Sequence, residues 1–187
     1  MPSKEQLQLK LQSLGALRPE AWAMICLEMG SVTLKPNQSF IRKVGTLAFV
    51  AQGLLKEYDA QHRSKPALIN FLGANDALIT RKQNQNHYLK ACTECRIYYW
   101  DFDTLEMLYK AFRELKIIYD SLCAEYDECF TFRQFLLEQK SAKERTLLFM
   151  ERYHGQLPYL QKKDISNYLS LNYDHFTLIY QELLRGK

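Results

Sequence analysis

Apolar residues in the first thirty positions recur at helical spacing. Leu7, Leu9, Leu11 and Leu14 are mixed with Lys and Gln, and Trp22, Ile25, Cys26 and Met29 follow Pro19. The spacing predicts helices over 4–14 and 18–29, with Pro near the start of the second and Gly30 closing it. From Ser31 the period changes to two. Strands are predicted at 32–34, from Phe40-Ile41, over 47–58 with a bend or bulge at Gly53, at 67–72, at 88–91 and at 96–100. The separators are polar: Lys35-Pro-Asn-Gln38, residues 59–66, Gly73-Ala-Asn-Asp76 and the run Arg81-Lys-Gln-Asn-Gln-Asn86. Short strands with this punctuation over about seventy residues imply a β-sandwich or barrel.

After Asp101 the pattern is helical to the end. Asp103 is a candidate cap for a helix from Thr104 through Tyr109. Residues 112–139 read as one helix, with Leu115, Ile118, Leu122, Tyr126, Cys129 and Leu136 three to four apart. Twenty-eight residues would span about 42 Å. Such a helix either packs on a symmetry mate in a dimer or lies buried against the barrel, and sustained apolar spacing at this length favours the helix–helix seam. Ser141-Ala-Lys-Glu144 is a capping box opening the next helix, which Gly155 ends. Beyond Leu157-Pro158, residues 162–169 form one short helix and residues 170–172 a turn. Asn172 is an N-cap for a last helix from Tyr173 to about Leu184. Two short helices about a tight turn have the layout of a helix-turn-helix.

Composition narrows the class. At 187 residues the chain can bury a sizeable core, and 47% apolar with 25% charged residues is a globular balance. The net charge of +4 permits nucleic-acid binding without requiring it. No stretch reaches the roughly 18 apolar residues of a membrane helix, and the N-terminus lacks the apolar core of a secretory signal, so a cytoplasmic location is expected. Cys26, Cys92, Cys95, Cys123 and Cys129 are odd in number and scattered, as in a reducing compartment. Cys92-Thr-Glu-Cys95 has zinc or redox spacing. It has no second pair, however, and His62, His87, His154 and His175 are dispersed, so ordinary core or surface cysteines are expected and no metal. Tyr98, Tyr99, Tyr109, Tyr119 and Tyr126 suit half-buried core and edge positions. No phosphate-cradling loop or catalytic constellation stands out, so the chain is not expected to be an enzyme or to carry a cofactor.

Helix, β-barrel, long helix, helix-turn-helix is the order of the Crp/Fnr family, and several segments resemble that family. Leu34-Lys-Pro-Asn-Gln-Ser-Phe40-Ile is similar to its lysine-glycine strand opening, and Ala51-Gln-Gly53-Leu-Leu-Lys-Glu-Tyr58 to its strand–glycine–strand segment. Glu144-Arg145, Tyr153, Leu157-Pro158 and residues 161–169 resemble the linker and first reading helix of bacterial members. The resemblance implies an α+β chain: an N-terminal jelly roll of the cyclic-nucleotide-binding kind with its helices (1–111), a dimerisation helix (112–140) and a small helical helix-turn-helix domain (141–187). It further implies a dimeric transcription regulator with a small-molecule effector. The alternative is a degenerate member working through protein contacts, or sensing a small molecule, without DNA.

The departures fall at functional positions. Members that bind cyclic AMP place an Arg and a Ser or Thr on the cyclic phosphate, where the planar guanidinium makes two charge-assisted hydrogen bonds. Here Gln85 and Asn86 take those places, with Arg81 and Lys82 upstream as the remaining candidate effector-pocket residues. Binding of cyclic AMP in the usual way is therefore not expected. In the reading helix the family's Ser-Arg-x-Arg corresponds to Thr177-Leu178-Ile179-Tyr180, so both arginines are missing. Ser170 replaces the turn glycine and must tolerate its geometry. The candidate DNA contacts are Lys162, Lys163, Asn172, Tyr173, His175, Thr177 and Gln181, with Arg185 and Lys187 behind and Asp174 and Glu182 opposing.

Overall fold

The structure, a computed structural model, describes residues 4–61 and 63–185; His62 and Lys187 lie outside the described residues. Two helices come first, α1 (Lys4–Leu14) and α2 (Pro19–Leu27). Gly30 does not close α2. It begins β1 (Gly30–Leu34), where the ring of Tyr99 on the neighbouring strand lies across the space a Cβ would need. The strands that follow are β2 (Ser39–Phe40), β3 (Leu47–Gln52), β4 (Leu55–Asp59), β5 (Ala67–Leu72), β6 (Ala77–Ile79), β7 (Tyr88–Ala91) and β8 (Cys95–Trp100). Sequence periodicity missed β6. At three residues, all buried, it is too short to show an alternation.

The strands form two antiparallel four-stranded sheets, ordered β1-β8-β3-β6 and β2-β7-β4-β5. They enclose a shared core, with Leu34, Val50 and Ile97 from one sheet against Leu55, Leu72 and Leu89 from the other. The expected closed barrel is corrected to this pair of sheets. No hydrogen-bonded ladder joins them among the described residues, so each keeps two edges. Gly53 turns β3 into β4 at φ 92°, where a side chain would also meet the Glu94 carbonyl.

Helices α3 (Phe102–Ala111) and α4 (Leu115–Glu138) pack with α1 and α2 on the first sheet. The cap of α3 is Asp101, not Asp103: its carboxylate accepts from the Thr104 amide at 2.9 Å. The long helix is 24 residues, shorter than the 28 expected, because Phe112 leaves helical geometry at φ −136°, ψ 90° and separates α3 from α4. The apolar positions assigned to a dimer seam are used within the chain. Leu115, Ile118, Leu122 and Tyr126 join the sheet core and Leu136 joins a second core beneath the C-terminal helices.

That second core carries the helical C-terminal segment: α5 (Ala142–Arg152), a 3-10 turn (Leu157–Tyr159), α6 (Lys162–Tyr168) and α7 (Tyr173–Arg185). Ser141 caps α5 by accepting from the Glu144 amide, as the capping box requires. Phe71 of β5 sits among Phe149, Tyr153 and Tyr168, with ring centroids 5.2–5.9 Å away. The helix pair is therefore held on the outer face of the second sheet by aromatic packing, with edge-on contacts adding to the buried area.

Candidate functional site

Strand alternation gives β4 two jobs. Leu55 and Glu57 face between the sheets, while Leu54, Lys56 and Tyr58 face the C-terminal helices. On the inner side Glu57 is 0% exposed. It accepts from Tyr126 of α4 at 2.8 Å and 3.0 Å, meets His87 Nδ1 at 3.1 Å and pairs with Arg42 at 3.4 Å. Asn84 completes the group, donating to Tyr126 Oη at 3.0 Å and to the Ile79 carbonyl at 2.9 Å while its backbone carbonyl accepts from Arg42 at 3.2 Å. Burial, and then the Glu57 charge, push the Tyr126 hydroxyl far above the ordinary tyrosine range. Burial lowers the Arg42 pKa against the pull of Glu57. One polar network thus ties β4, the loop before β7 and the long helix together. A buried charge is tolerable only when partnered in this way.

The residues assigned to an effector pocket stand outside this network. Arg81 is turned outward, with its guanidinium on both carboxylate oxygens of Asp127 at 2.7 Å and 3.1 Å. Lys82, Gln85 and Asn86 are exposed. The Arg81 amide does donate to Asn84 Oδ1 at 2.6 Å, so the loop is pinned inward through its backbone and outward through the Arg81 pair with Asp127. Sequence reading missed Glu57, Arg42, Asn84, His87 and Tyr126. The available signal was Glu57, a carboxylate between apolar residues at an inward strand position.

On the outer side Lys56 Nζ lies 3.0 Å from Asp164 of α6, each side chain 10% exposed. Burial works against the Lys56 charge, but the Asp164 hydrogen bond and neighbouring groups outweigh it and raise the pKa. Tyr58 Oη is 3.4 Å from the same carboxylate and is pushed up to about 12, first by burial and then by that charge. One turn on, the Asn167 side chain accepts from the Leu68 amide at 2.8 Å and donates to the Pro66 carbonyl at 3.0 Å. An amide used this way supplies what another strand would, and it covers the β5 edge. Cys92 is half-buried beside this contact, and burial pushes its thiol up to about 12, out of reach of thiolate chemistry at neutral pH.

The turn and last helix have helix-turn-helix geometry. Ser170 adopts φ 53°, the left-handed conformation otherwise suited to glycine. Asn172 Oδ1 accepts from the Asp174 and His175 amides at 2.9 Å and 3.3 Å, capping α7. Phe176 and Ile179 are buried. Of the candidate contacts, Lys163, Tyr173, His175 and Gln181 are exposed together with Asn172, whose side-chain oxygen is taken by capping. Lys162 lies over the Tyr180 ring at 5.7 Å, and the Thr177 hydroxyl oxygen is buried. Glu182 is paired with Lys143 at 2.8 Å, so Asp174 is the one acidic side chain of the helix without an ion pair among the described residues. Leu178, where the family carries arginine, is 68% exposed.

The chain matches no protein-family model and no curated protein. Solved structures do match. FixK2 from Bradyrhizobium japonicum superposes with a TM-score of 0.70 at 13% identity, over 84% of this chain and 85% of that one. A protein from Eubacterium rectale assigned to the Crp/Fnr family gives 0.70 at 14% identity, over 91% and 85%. A cyclic nucleotide-binding domain containing protein from Listeria monocytogenes gives 0.69 at 13%, over 97% and 90%. At these identities the likeness is one of architecture, and the chain has the fold shared by Crp/Fnr regulators and cyclic nucleotide-binding domain proteins.

Proposed function

We propose that the chain is a dimeric, cytoplasmic Crp/Fnr-like transcription regulator, with sensor (1–111), dimer-helix (112–140) and helix-turn-helix (141–187) parts. The observation that carries this reading is the C-terminal helix pair. It has a left-handed turn at Ser170 and a capped α7 whose Tyr173, His175 and Gln181 face solvent, behind two sheets and a long helix. Base-edge contacts would come from Tyr173, His175 and Gln181, whereas Thr177, its hydroxyl buried, would pack the helix. Lys162, Lys163 and Arg185 would meet phosphates, and Asn172 would orient the helix. Pairing of Glu182 with Lys143 removes one of the two opposing charges noted in the sequence.

The dimer would use the outward stripe of α4. Ile117, Ser121, Ala124, Glu128, Thr131 and Phe135 alternate four and three apart, with exposed Ile117 and Phe135 at the ends and, between them, small Ser121, Ala124 and Thr131 beside Glu128, which pairs with Arg152. Such spacing lets two helices approach closely along a seam that the protein's own core leaves free. Binding to a mixed library of roughly 20-base-pair duplexes, followed by anisotropy at two salt concentrations, tests the reading. A steep loss of affinity with salt is expected for several phosphate contacts per dimer. The absence of binding at low salt, or monomers alone in the ultracentrifuge, would remove it.

The sensor would not take cyclic AMP in the family's usual way. Glu57, Tyr126 and Asn84 satisfy one another between the sheets, and Arg81 is committed to Asp127. An incoming cyclic phosphate would have to displace that network and would meet the Glu57 carboxylate. Cyclic AMP and cyclic GMP are expected to leave the melting temperature unchanged at millimolar concentration. A rise of several degrees would show that the network opens to a nucleotide. With neither nucleotide bound, the effector would be some other small molecule.

A further inference from the structure

Strand β1 is one edge of its sheet, opposite β6, and pairs only with β8 among the described residues, from Gly30 opposite Tyr99 to Leu34 opposite Cys95. Alternate N–H and C=O groups of an edge strand point away from the sheet. Among the described residues, no main-chain bond from residues 30–34 runs to anything but β8. The other sheet shows what protection looks like here, since Asn167 covers the β5 edge. In β1, Gly-Ser-Val-Thr-Leu offers no lysine or proline, and its pairing with β8 has no bulge. None of the usual devices that block strand addition is present.

A groove of about 520 Å³ opens beside this edge, between β1 and the short β2. Val32, Leu34, Phe40, Ile41 and Tyr99 line it. Ile41 is 91% exposed, and Val44 and Phe102 are exposed beside it. Large apolar side chains clustered in this way mark an interaction surface. Lys43 lines the groove and is exposed, as is Lys35, next in the chain to the lining residue Leu34. The nearby Asp101 carboxylate caps α3, and the Arg42 guanidinium is turned inward to Glu57. The free charge at the rim is positive.

We propose that this edge takes an extended peptide segment of a protein partner as a fifth strand of the sheet. Main-chain groups of β1 would supply the ladder. Apolar side chains at every second peptide position would enter the groove, and a carboxylate at either end would meet Lys35 or Lys43. Backbone pairing gives such binding its affinity and the alternate pockets give it selectivity. Ser39, Arg42, Lys43, Thr46 and Asp101 complete the lining, so the walls are mixed, and it is the row of free main-chain groups on β1 that selects an extended peptide.

The test uses the full chain and a set of fluorescein-labelled seven-residue peptides that alternate Val or Ile with Ser or Thr and carry Glu at both ends. Members of the set should bind saturably and slow amide exchange across Gly30–Leu34. Ile41→Asp, at a position too exposed to affect folding, should weaken binding about tenfold. N-methylating alternate peptide nitrogens should abolish it, because the side chains remain and the donors are lost. The proposal is overturned if no member binds at millimolar concentration. It is equally overturned if Ile41→Asp and N-methylated peptides bind like their parents, or if β1 becomes protected only as the chain itself is concentrated, which would make the occupant a second copy.

Discussion

Replacing Lys56 with methionine is expected to destabilise the chain by about 3 kcal/mol, read as a fall in the urea midpoint at an unchanged slope. Methionine matches the aliphatic stem but leaves the Asp164 carboxylate buried, with only Tyr58 Oη at 3.4 Å for company. Removing one partner of a buried pair costs more than removing both, so Lys56→Met combined with Asp164→Leu should recover most of the loss. Lys143→Ala breaks the exposed pair with Glu182, of similar length, and should change little. If Lys56→Met melts at the wild-type midpoint, the bridge does not form in solution.

The loss should also be local. Asp164 and Asn167 are on the same face of α6, and Asn167 holds the Leu68 amide. Loosening the bridge should speed exchange of that amide well before the core between the sheets opens. A helix pair tied to the second sheet by one ion pair and one amide, besides the aromatic packing on Phe71, can respond to events in β4 and β5. The same contact limits how freely α7 can be aimed.

What sequence reading recovered follows from what leaves a periodic trace. Both N-terminal helices, most strands, the capping box at Ser141 and the Asn172 cap were legible, because a cap or an alternation of five residues is a local property. The left-handed Ser170 was legible as a missing glycine. Strand β6 was not, at three residues, and neither was the true cap Asp101, one of two aspartates within one helical turn. The long helix misled for a different reason. An apolar stripe shows that a face is buried but not whether the burying surface is a second copy or the chain's own sheet, and Leu115, Ile118, Leu122 and Tyr126 chose the sheet. The polar run before β7 poses the same difficulty. Gln85 and Arg81 were placed by position in a polar run, whereas the buried member of that run is Asn84, whose partner Tyr126 lies 42 positions away and in turn donates to Glu57. Long-range polar satisfaction leaves no local pattern.

That network supports the second large effect. Glu57→Gln keeps the shape and can still accept from Tyr126, but it leaves the Arg42 side chain, 3% exposed, without its countercharge. A loss of about 3 kcal/mol is expected, set by the uncompensated guanidinium and not by a cavity. The interpretation rests on the pair. Arg42→Met alone should cost a comparable amount, because it strands Glu57, and the double variant should be less destabilised than either single one. Tyr126→Phe removes one donor to a charged acceptor and should cost about 2 kcal/mol, with the ring still packed on Phe130 at 5.0 Å. If Glu57→Gln and Arg42→Met were additive, the two would act independently and the space between the sheets would be filled by packing alone. Coupling of a kilocalorie or more would instead make the network a single unit linking β4 to the long helix, so that an effector able to break it would release the loop before β7 and α4 together.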